Sequence, residues 1–126
     1  MKTPDSVIAS LETGELLPDE VFRSIDLDAV LDRRDSPAFE ERWLHAYKEI
    51  ESTWGRRTEL HAHESSLYRL REFAFRRTFT ATSGHHDVAA SVSDDFDLIC
   101  KKNLAEIDQP FVDELEAAYR ANRFPG

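Results

Sequence analysis

The stretch PAFEERWLHAYKEIESTW, residues 37–54, places Phe39, Trp43, Ala46, Tyr47, Ile50 and Trp54 on one stripe of a 3.6-residue period. Ser36 before Pro37 is a helix-start signal: a small polar cap, then a proline at a position whose N–H has no helical partner. Gly55 reads as the stop, since glycine tolerates the left-handed conformation that closes helices. A second amphipathic stretch, 58–81, follows directly and carries Leu60, Leu67, Leu70 and Ala74 on one face. Two such helices joined at a single glycine predict a central antiparallel hairpin.

Outward from this pair the same period continues. Residues 86–107 carry Val88, Val92, Phe96, Ile99, Cys100, Leu104 and Ile107, and a short C-terminal face follows with Phe111, Leu115, Ala118 and Tyr119. Toward the N-terminus, Thr3-Pro4 opens a helix that Gly14 ends, and Pro18 opens a stretch to 33 that breaks around Ser24–Asp26. FRRTFTAT, residues 75–82, is rich in β-formers and reads as a helix end fraying near Thr80, with a short strand as the alternative. No repeat, low-complexity tract or flexible linker interrupts the pattern. The fold class is therefore all-α, a single helical domain over 1–126 built as a compact bundle of about five or six helices.

Composition agrees with a packed core: 40% of residues are hydrophobic and eight are Phe. The net charge of −9 is unevenly placed. Residues 1–40 hold ten acids against four bases and residues 85–126 nine against four, whereas 56–84 hold six Arg against three Glu. Such a field disfavours nucleic acid, whose phosphates need a net basic face, and favours encounter with basic proteins. Cys100 is the only cysteine, so no internal disulfide forms, and its helical phase makes it a core residue rather than a reactive thiol. MKTPDSVIAS lacks the basic and long apolar regions of a secretory leader, and no apolar run is long enough to span a bilayer. The expected address is the cytoplasm, away from membranes.

Few residues carry recognisable chemistry. His85-His86-Asp87 contains a His-Asp dyad, with His61 and His63 upstream, and imidazole with carboxylate can hold a water-activating divalent metal, as in phosphohydrolases of the HD type. Against this, the dyad follows Gly84 at a helix start, where Ser83 or Asp87 would serve as a cap, and His61 and His63 diverge by about 200° on a helix. Ser93-Asp94-Asp95-Phe96-Asp97 lacks the glycine and distal glutamate of a calcium loop and reads as acids on a solvated helix face. Arg69, Glu72 and Arg76 have the spacing of a surface ion-pair ladder. Trp43 and Tyr47 read as core, and Trp54 beside Gly55 as a half-exposed interface aromatic.

Two functional classes follow. The first is a non-enzymatic acidic protein-binding module, an inhibitor or immunity-type protein or a regulatory adaptor, that recognises a basic partner without a cofactor. Its expected contact residues are Asp26, Asp28 and Asp32 in one cluster and Asp94, Asp95 and Asp97 in another. The alternative is a metal-dependent phosphohydrolase using His86-Asp87 with His61 or His63 and a later acid, and convergence of those side chains in one pocket is what it requires.

Overall fold

The computed structural model describes residues 1–126 and is helical throughout, with no strand. Seven α-helices follow in order: α1 (Pro4–Thr13), α2 (Glu20–Arg23), α3 (Leu27–Arg34), α4 (Pro37–Arg56), α5 (Glu64–Ala81), α6 (His86–Leu104) and α7 (Pro110–Arg120). A 3-10 segment, Thr58–His63, links α4 to α5. Three of the four proline signals mark helix starts: Thr3 caps α1 by accepting from the Ser6 N–H, and Pro4, Pro37 and Pro110 sit in first turns, whereas Pro18 lies two residues before α2, which begins at Glu20. Gly14 closes α1 in the left-handed conformation.

The 75–82 stretch is helical to Ala81, as the reading of a helix end near Thr80 expects, and not a strand: Ala74 and Thr78 are buried and tertiary packing outweighs β-propensity. Two local expectations change. Gly55 does not end α4, which runs one residue further to Arg56; the stop is the 3-10 segment after it. The α6 cap is neither Ser83 nor Asp87 but His85, whose Nδ1 faces the Val88 N–H at 3.5 Å.

The central antiparallel hairpin is α5–α6 rather than 37–54 with 58–81. α5 and α6 pack along their lengths, joined at Ser83 and Gly84, both in the left-handed region. The 3-10 segment swings α5 away from α4, so α4 lies instead on α6 and α7, and α1 covers α5. α6 is thereby enclosed by α3, α4, α5 and α7. One contiguous apolar cluster draws on all seven helices, with Ile50, Leu70, Val92, Phe96, Ile99 and Val112 fully buried. We expect Ile50→Ala and Ile99→Ala each to cost about 2–5 kcal/mol, the range for emptying a packed aliphatic site. Urea denaturation measures it, and losses near zero would mean that these two positions are not core.

Enclosure on several sides has a further effect. From Val92 to Lys101 only Asp94 is exposed. Cys100 is among the buried residues, its thiol pushed up to about 12 by burial, which leaves it inert at neutral pH.

Candidate protein-binding surface

Beneath the surface where α3, α4, α6 and α7 meet lies a polar hub centred on Asp95, which is 0% exposed. The Arg34 guanidinium grips it in a two-pronged pair, Nη1 donating to Oδ2 at 3.0 Å and Nη2 to Oδ1 at 2.9 Å. The Trp43 indole N–H donates to Oδ1 at 2.9 Å and the Tyr119 hydroxyl to Oδ2 at 2.5 Å. Arg34 Nη1 also donates to the Pro125 carbonyl at 2.8 Å, and its guanidinium lies 4.8 Å from the Phe39 ring centre and 5.1 Å from that of Phe124. Burial opposes the charge on Arg34, but Asp95 more than offsets it and raises the guanidinium pKa. Burial also raises the Tyr119 phenol well above its ordinary value, with Asp95 adding to the shift, so it remains a donor.

Above the hub, α3, α4 and α6 leave an open groove of two adjoining depressions, about 220 and 420 Å³, which share Trp43, Leu44 and Asp94. The hub bond fixes Trp43, and Tyr47, one turn on, stacks against it with ring centres 5.5 Å apart and planes 14° from parallel. Leu44 and Tyr47 are each 42% exposed, unusual for large apolar side chains with a core close by. Tyr68 on α5, 59% exposed, extends the patch, since Arg71 of the groove wall lies 6.0 Å from its ring centre.

The cations of this groove are already engaged. Arg34 serves Asp95, Arg71 faces Asp97 at 3.4 Å, and Lys101 holds Glu51 at 2.7 Å and Asp97 at 3.1 Å. Asp94 forms no ion pair and accepts no hydrogen bond from the protein. Partial burial raises its pKa, with Asp95 and Asp97 adding to the effect and the nearby Arg71 and Arg34 opposing it. Asp35 and Glu40, on the rim at the α3–α4 corner, are likewise without an ion pair. Counting the hub, six carboxylates meet three cations, which leaves the surface negative.

The acids singled out in the sequence therefore separate. Asp94 is in the groove, but Asp95 and Asp97 are not surface residues: α6 is packed on several sides, and both carboxylates neutralise internal cations. Asp26 caps α3 by accepting from the Ala29 N–H, Asp28 faces His85 Nε2 at 3.1 Å, and Asp32 is exposed. Trp54 is only 3% exposed, whereas Tyr47, expected in the core, is at the surface. Arg76 pairs with Glu72 at 2.6 Å, but Arg69 reaches Asp5 on α1 instead of completing a ladder.

The histidines are dispersed among separate local partners. His61 Nε2 bonds the Trp54 carbonyl, His85 faces Asp28, and His86 lies 3.5 Å from Asp87 in the exposed first turn of α6. No three His, Cys, Asp or Glu side chains converge in a metal-binding arrangement, so the ligand set that the hydrolase alternative requires is not assembled. No helix is long and apolar enough to cross a membrane.

A family model described as Immunity protein PIM1 matches residues 6–126, which takes in all seven helices except the first two residues of α1. No curated protein matches the chain.

Proposed function

The chain belongs to the PIM1 family of immunity proteins, and from that premise we propose that it acts without chemistry of its own, by binding and neutralising one protein whose contact surface is basic. The observation that carries this reading is the groove: a fixed aromatic pair and an exposed leucine, bordered by carboxylates that have no internal cation. Protein interfaces use this combination. Aromatic side chains supply contact area with little conformational freedom to lose, and surrounding charge governs the rate of encounter and the choice of partner. An inhibitor needs no metal and no nucleophile, and the dispersed histidines and buried Cys100 are compatible with that.

The test is capture of the partner from the native cell, identification by mass spectrometry, and binding kinetics at two ionic strengths. Association is expected to slow steeply with added salt. Reversal of Asp35, Glu40 and Asp94 to Lys should slow association at least tenfold while leaving the helical signal intact. Reversal of Asp28 and Asp32 on the outer face of α3 is the comparison and should have the smaller effect. An acidic partner, or association indifferent to salt and to both reversals, would overturn the reading.

A further inference from the structure

Asp94 stands in an unusual position for a carboxylate. Every neighbouring acid on α6 has a cation: Asp95 has Arg34, and Asp97 has Lys101 and Arg71. Asp94 alone has no cation within ion-pair distance, and its partial withdrawal from water and the repulsion of Asp95 and Asp97 outweigh the attraction of Arg71 and Arg34 nearby. The missing interaction is a direct ion pair, since the nearby Arg34 and Arg71 are paired with Asp95 and Asp97. Beside it lies the Trp43–Tyr47 stack, which offers aromatic faces held in place from below by the indole bond to Asp95.

A carboxylate next to immobilised aromatic rings is the receptor geometry for a planar cation. A guanidinium can give parallel hydrogen bonds to the carboxylate and lie against an aromatic face, which a compact, strongly hydrated ammonium does less well. The molecule already contains this arrangement in its interior: Arg34 pairs with Asp95 while stacked beside Phe39 and Phe124. We propose that the groove repeats that arrangement between molecules, seating an arginine side chain of the protein partner with Asp94 as counter-ion and the Trp43–Tyr47 pair as the surface it stacks on. This rests on the reading that the chain binds a basic protein, and it names the anchor of that contact. Leu44 and Tyr68 flank the seat and would meet apolar parts of the same partner.

The experiment has two arms. In the first, the isolated protein is titrated with N-acetyl-arginine amide, its lysine counterpart and the uncharged citrulline counterpart, followed by the NMR signal of the Trp43 indole N–H. The arginine probe should give a saturable shift, the lysine probe should bind at least threefold more weakly, and the citrulline probe should give none. Asp94→Asn should abolish the arginine response. That variant breaks no hydrogen bond or ion pair within the protein and removes a charge that burial and neighbouring carboxylates disfavour, so its unfolding midpoint should be no lower than that of wild type. In the second arm, the captured partner should lose ten- to hundredfold in affinity for Asp94→Asn. Equal responses to arginine and citrulline, lysine binding as tightly as arginine, or an arginine response that survives Asp94→Asn would overturn the seat. A partner that binds wild type and Asp94→Asn equally well would overturn it too, while leaving the inhibitor reading intact. A saturable, Asp94-dependent arginine response with no protein partner recovered would do the reverse.

Discussion

Asp95→Asn should destabilise the protein by about 3–5 kcal/mol, the cost of leaving a buried charge without its partner. Three donors from three other elements end on this carboxylate: the Arg34 guanidinium, the Trp43 indole and the Tyr119 hydroxyl. An asparagine of the same shape offers one accepting oxygen and turns an N–H₂ group toward the rest. Arg34 would then hold a buried charge with only the Pro125 carbonyl and two aromatic faces against it. Since small domains are stable by about 5–15 kcal/mol, a loss of this size removes a large share of the total. Urea unfolding at neutral pH measures it. A double-mutant cycle separates mechanism from simple loss of a bond. Arg34→Met alone should also be costly, yet Arg34→Met with Asp95→Asn should cost clearly less than the two singles combined, because the uncompensated charge is gone. Strict additivity would show that the pair is not coupled, and a single-variant loss under about 1 kcal/mol, the level of an exposed pair, would show that the hub is not dry.

The same hub marks the boundary of what could be read from the chain. The apolar phase of α6 was legible: Val88, Val92, Phe96, Ile99 and Cys100 all lie fully buried where the period puts them. Asp95, Asp97 and Lys101 were not, because helical periodicity assumes one buried stripe and α6 has neighbours on several sides. Nothing local to Arg34 marks it as the cation that neutralises Asp95, 61 positions along the chain. The hairpin was misplaced for a related reason. α4 and α5 are neighbours in sequence, but the 3-10 segment between them redirects the chain, and its composition resembles a first helical turn. At the surface a signal was available. Tyr47 sits at the edge of the α4 stripe, and Leu44 lies about 100° around from Trp43, off the stripe altogether. An off-stripe leucine next to an edge tyrosine indicates an exposed apolar patch; reading Tyr47 as core, with no reading of Leu44, concealed it.

That patch supports the largest expected effect on binding. Tyr47→Ala should weaken the captured partner by about 2–4 kcal/mol, the range of interface hot spots, with little change in folding stability. The separation of the two effects follows from where the ring lies. It is 42% exposed in the free protein and contributes one face to the stack on Trp43, whereas Trp43 is tied into the hub by its indole N–H. Truncating Tyr47 removes contact area that becomes buried only in the complex; truncating Trp43 would disturb the hub as well and confuse the two. Kinetics then distinguish this residue from Asp94. Losing an apolar contact at the centre of an interface acts mainly on dissociation and leaves the salt dependence of association as in wild type. Asp94→Asn should both speed dissociation and reduce that salt dependence, Asp35 and Glu40 keeping the remainder. Surface plasmon resonance at two ionic strengths reads both quantities for each variant. Tyr47→Ala with unchanged dissociation would move the partner off the α4 groove, to an acidic face elsewhere such as Asp28 and Asp32 on α3.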